Sequence, residues 1–187
     1  MDRKATRHSN IPARRAWAAL ALAALLLLPS AGALATVADV GELGLLMTLP
    51  QTMDVFTRSM RQGDPVPGLY GTTADAVRSS LEARGLWLEA KDIAGKYAVT
   101  LEAHGDFGPD YAALGEAELL GMAPGAEVVR TRQAAFVLYE QGGTLVCQTR
   151  AGGRLFTLRL YPSGRLSADM ASTLKAVAIG MDFGLGQ

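Results

Sequence analysis

Three runs in the C-terminal half, Ala134–Glu140, Thr144–Arg150 and Arg154–Tyr161, alternate their side chains with a period of two. Phe136 and Leu138 interleave with Val137 and Tyr139, and Phe156, Leu158 and Leu160 interleave with Leu155, Thr157, Arg159 and Tyr161. That period puts one set on each face of an extended chain and predicts half-buried antiparallel strands. Gly142-Gly143 and Gly152-Gly153 supply the positive φ that tight hairpin turns require, so the runs form a meander. Glu127–Arg132 leads into it, and Leu86–Glu89 and Tyr97–Leu101 are two further short strands.

Elsewhere the spacing is helical. Over Ala168–Ile179, Met170, Leu174 and Val177 share a face, with Ser167 as N-cap and Gly180 as stop. This helix is expected to cover the apolar side of the sheet. A second helix spans Ala74–Arg84, capped by Thr72 or Thr73 and closed by Gly85, with Ala74, Val77 and Leu81 inward. From Asp39 to Arg61, Leu43, Met47, Met53, Phe56 and Met60 recur at steps of three, four or six, which predicts a helical stretch divided at Pro50. Gly63–Gly71 (GDPVPGLYG) is expected to be turn and extended linker. Tyr111–Leu120 fits either a short helix or extended chain. The fold class is therefore α+β: a small antiparallel sheet packed with helices on one face, with helices at about 50–61, 74–84 and 168–179. No internal repeat is present.

The N-terminus has a different character. Basic residues ending at Arg14-Arg15 precede thirteen uncharged residues, Ala16–Leu28; Pro29-Ser30 then break the run and Ala33-Leu34-Ala35 offer small residues at −3 and −1. This is the layout of a secretory signal peptide, cleaved after Ala35. The alternative is an uncleaved anchor, although thirteen residues fall short of the ~20 that span a bilayer. The expected organisation is a signal peptide over 1–35, a helical segment and linker over 36–68, and an α+β domain over 69–187. The location is periplasmic or secreted, with membrane contact only through an uncleaved leader. Beyond residue 35 there are 13 basic and 17 acidic residues, a net charge of −4, which gives no general reason to expect nucleic acid.

The chemistry on offer is sparse. His104 is the one histidine beyond residue 35 and Cys147 the one cysteine of the chain, so HExxH and Cys/His zinc sites are excluded, and no P-loop, GxGxxG or GxSxG occurs. Glu102, His104, Asp106 and Asp110 lie in a glycine-bearing loop that can be read as a structural turn, a cation site or an acid–base pair. Cys147 sits mid-strand, as a small buried hydrophobe would, or as a thiol served by His104. Arg130, Arg132, Arg150, Arg154, Arg159 and Arg165 give +5 over 130–165 against Glu140. They form either a surface for an acidic partner or a set of solvated strand positions pairing with the 102–127 segment, which holds six acids and no Lys or Arg. No cofactor is implied.

Between Pro109 and Arg150 the chain resembles the extracytoplasmic domain of bacterial membrane-anchored anti-sigma factors. Pro109-Asp110-Tyr111 matches the lead of that pattern, and Gly115 and Gly121 match its turn, one residue wider than usual. Ala134–Glu140 with Gly142-Gly143 matches its strand and hairpin. The cytoplasmic sigma-binding module of those proteins has no counterpart, since fifteen residues without cysteine precede the apolar run. The resemblance implies a small exported sensory or protein-binding domain. The leading expectation is thus a non-enzymatic accessory module of the cell envelope acting through a protein partner. A small-ligand or cation carrier using the 102–110 loop or the Met-bearing helix comes second, and an enzyme using Cys147 or His104 third.

Overall fold

The computed structural model describes residues 35–184. The expected leader therefore lies, apart from Ala35, outside the described residues. The strands are β1 (Ala35–Val40), β2 (Leu45–Pro50), β3 (Met53–Thr57), β4 (Leu86–Asp92), β5 (Tyr97–Gly105), β6 (Glu127–Arg130), β7 (Ala135–Gln141), β8 (Thr144–Ala151), β9 (Arg154–Pro162) and β10 (Met181–Asp182). The α-helices among the described residues are α1 (Pro65–Leu69), α2 (Ala74–Ala83), α3 (Glu116–Leu120) and α4 (Ala168–Ile179).

The class is α+β, but the sheet is larger than its sequence pattern suggested. Seven antiparallel strands run in the order β3-β4-β5-β9-β8-β7-β6, and a separate three-stranded sheet runs β1-β2-β10. The 134–161 meander forms as expected, its two Gly-Gly turns both at positive φ (60° and 75°, 58° and 72°). Leu138, Cys147, Leu158, Leu101 and Leu88 stand in one register row across five strands. This face packs on Val40, Leu45, Met47 and Leu49 of the small sheet and on Leu174, Val177 and Ala178 of α4, one continuous core.

Helices cover both faces rather than one. On the second face Phe56 and Leu86 meet Ala74, Val77 and Leu81 of α2, and Ala135 and Val137 meet Tyr111 and Leu119. β7 begins as a continuous apolar run because it is buried on both sides. The α2 and α4 expectations hold in detail: Thr73 Oγ1 accepts from the Ala76 N–H at 3.2 Å, and Ser167 Oγ accepts from the Met170 N–H at 3.3 Å.

The helical expectation for 39–61 is overturned. Leu45, Met47 and Leu49 are buried while Leu46 is 45% exposed, a period of two, and Gly41–Gly44 turn the chain between β1 and β2. The steps of three, four and six join residues that belong to different elements, so the Met-bearing helix expected over 39–61 does not form: Met47 and Met53 serve one core cluster and Met60 another. Pro65 also starts a helix where only turn was expected. Its missing N–H falls where a helix leaves donors unpaired, and Asp64 caps the turn by accepting from Val66 N–H at 3.1 Å. β3, from the 36–68 segment, hydrogen-bonds to β4 as the edge of a sheet whose other six strands come from 69–187.

Candidate functional site

The loop after β5 is built around one guanidinium. Arg150, on the second face of β8, donates from Nη2 to Asp106 Oδ2 at 2.8 Å and from Nη1 to the Pro109 carbonyl at 3.1 Å. Its plane lies over the Tyr111 ring, 5.2 Å from the centroid. Asp106 Oδ1 accepts from Gly108 N–H at 2.9 Å, and the Asp106 N–H donates to the Gly153 carbonyl at 3.0 Å. The Gly108 amide, and after it the Arg150 guanidinium, hold the Asp106 carboxyl below the usual carboxylate range. Gly108 is needed for closeness of approach: a Cβ there would stand 2.5 Å from Cζ and Nη1 of Arg150.

The other proposed ligands turn elsewhere. Asp110 Oδ2 accepts from Gly152 N–H at 3.3 Å. Glu102 Oε1 accepts from Arg159 Nε at 3.2 Å, and its Oε2 lies 3.7 Å from Nε2 of the largely exposed His104. Among the described residues, no three His, Cys, Asp or Glu side chains are gathered as a metal ion would need. Next to the Glu102–Arg159 pair a polar seam crosses the sheet: Tyr139 OH donates to Gln148 Oε1 and Gln148 Nε2 to Thr157 Oγ1, each at 3.1 Å. The seam occupies the second face between the parts covered by α2 and α3.

Three of the six arginines are engaged within the chain. Arg150 and Arg159 pair with the acidic segment, and Arg130 donates to the Leu114 carbonyl at 2.8 Å. Arg154 opens β9 opposite Gly105, Arg132 lies in the turn before β7, and Arg165 in the loop before α4. Cys147 faces the core beneath α4, and burial pushes its thiol up to about 12, so it is protonated at neutral pH.

Two features were not visible in the sequence. One is a β-bulge, where Leu86 and Leu88 face the adjacent residues Glu102 and Leu101. The Arg58 guanidinium stacks 4.2 Å from the ring centroid of the intervening Trp87, and Arg58 Nε donates to the Leu86 carbonyl at 2.5 Å.

The other is a groove of about 740 Å³ between β1 and β3, with Val37, Met53, Met60 and Val66 as apolar lining and Asp39, Asp54 and Asp64 against Arg61 as its charges. β1 is the edge of the small sheet and β3 the edge of the large one, so two strands that have no neighbour on that side among the described residues border one cleft. Asp54 accepts from Tyr70 OH at 2.7 Å, and this bond is the main reason the phenol is held above its ordinary value. A second cleft of similar volume lies beside Tyr97, Ile93 and Met170, near the start of α4. No helix among the described residues is long and apolar enough to cross a membrane.

No protein-family model matches the chain, and no curated protein matches it. Among solved structures, a protein of Bacteroides thetaiotaomicron VPI-5482 aligns at a TM-score of 0.42 and 10% identity over 79% of this chain; the chain spans 47% of that protein's length. Cyanobacterial PsbP (CyanoP) from Synechocystis sp. PCC 6803 aligns at a TM-score of 0.42 and 11% identity, over 82% of this chain and 95% of that one. Neither likeness carries an activity to this chain.

Proposed function

We propose that this chain is an exported, non-enzymatic binding or accessory module of the bacterial cell envelope, working through a protein partner. The observation that carries the reading is the groove between the β1 and β3 edges. Edge strands offer backbone donors and acceptors to any extended segment laid beside them, and side-chain pockets then supply selectivity. Three aspartates against one arginine in this lining favour a segment that bears basic residues. The signal-peptide pattern of residues 1–35 and the anti-sigma-like sequence of 109–150 support export and a protein-binding role.

The test is co-purification of the tagged full chain from envelope extracts. A protein partner is expected to be retained. Val37→Lys, at a position 64% exposed on the groove wall, is expected to lower that retention while leaving the urea midpoint unchanged. A monomeric chain that retains no envelope protein counts against the proposal.

A further inference from the structure

Phe107 is 103% exposed, the most exposed of the large hydrophobic side chains described. A bare aromatic at the tip of a loose loop would be unremarkable, because it could fold back when free. This one is flanked on both sides by fixed backbone. Before it, Asp106 is held through its N–H to Gly153 and through its carboxylate to Gly108 N–H and Arg150. After it, Pro109 is held by Arg150, Asp110 by the Gly152 N–H, and Tyr111 is buried against Leu119, Ala135 and Val137. The fold thus orders every neighbour of Phe107 and leaves its ring in water.

We infer that Phe107 is the anchor of a protein–protein contact, seating in an apolar cleft of a partner that carries a carboxylate at the rim for Arg154. Ordering a loop on binding costs affinity, and here that ordering precedes binding. An aromatic side chain has only two χ angles to freeze and a large apolar face to bury, which makes it an efficient anchor. Arg154 supplies the charge: it opens β9 opposite Gly105, two residues from Phe107 along the chain, and makes no ion pair among the described residues. A lipid surface fits less well. The loop holds one aromatic between Asp106 and Asp110, with none of the basic and aromatic clustering that interfacial segments carry.

This inference rests on the reading of the chain as a partner-binding module, and it assigns a different surface from the β1–β3 groove. The experiment places the photoreactive residue p-benzoylphenylalanine at position 107 of the full chain in cells, identifies the adduct, and measures its affinity for the purified wild type and variants. The expected result is a protein adduct whose affinity falls about tenfold or more with Phe107→Ala, less with Phe107→Leu, and measurably with Arg154→Glu. The thermal midpoint of Phe107→Ala should match the wild type, since the ring touches nothing. Adducts only with lipid, adducts only with a second copy of this chain, or no adduct would each overturn the inference. A protein partner that co-purifies with the tagged chain yet binds Phe107→Ala as tightly as wild type overturns it too, while leaving the binding-module reading intact.

Discussion

Gly108→Ala tests whether Arg150 holds the 106–111 loop. The new methyl would lie 2.5 Å from Cζ and Nη1 and 3.0 Å from Nε of Arg150, so the guanidinium must leave its place between Asp106, Pro109 and the Tyr111 ring. Forcing one extra carbon into a packed position costs about 1–3 kcal/mol. For a domain of this size each kcal/mol lowers the thermal midpoint by about 2–4 °C. Gly105→Ala is the control three residues away, because nothing lies within 4 Å of a Cβ there and its φ is not positive; it should stay within about 0.5 kcal/mol of wild type. The decisive measurement is a double-mutant cycle by urea unfolding. With Arg150→Ala already in place the obstruction is gone, and Gly108→Ala should then cost almost nothing. An equal cost in both backgrounds, or no cost in the wild type, would refute the clamp.

The Asp106 carboxyl is lowered from its ordinary 3.8 by the Gly108 amide and Arg150, so the unfolded chain binds the proton more readily than the folded one. Its contribution is present above the unfolded-state value and is lost as pH falls through the lowered folded value. The urea-stability gap between wild type and Asp106→Asn should be flat above about pH 5 and close below it; a gap that persists unchanged through that acid window would contradict the assignment. For Cys147, a thiol pushed up to about 12 leaves on the order of one molecule in ten thousand as thiolate at pH 8. Iodoacetamide should therefore label the folded protein far more slowly than the urea-unfolded chain, and equal rates would place the thiol outside the core.

The legible parts of the fold were those whose signals are local. Alternation over 134–161 and paired glycines at both turns are properties of adjacent residues and appear where expected, as do the caps: Ser167, and Thr73 of the pair Thr72 or Thr73. The 39–61 stretch misled because residues from strands and turns, taken together, match helical steps; the correct signal, Leu45-Met47-Leu49, is only five residues long. The 102–110 loop was recognisable as polar and glycine-rich. Its arrangement was not, because Arg150 reaches it from 41 and 44 residues away along the chain. The exposure of Phe107 and the pairing of β1 and β3 edges into one groove are likewise set by tertiary placement, to which no neighbouring residue testifies.

The small sheet has a kinetic consequence. β2 lies between β1 and β10, with Met47 paired to Ala38 on one side and to Met181 on the other, and Thr48 N–H bonded to the Gly180 carbonyl at 2.9 Å. Phe183, just beyond, stacks against Phe136 and meets Phe156 edge-on inside the core. The first and last described strands thus close on a common neighbour, and the contacts they make span nearly the whole described chain. Closing so long a loop is slow and comes late, after the entropy of bringing its ends together has been overcome. A chain emerging vectorially, from a ribosome or a translocation channel, cannot seal this core until residue 183 is out. Until then it remains open, and under the export proposed above that delay would keep the chain fit for threading.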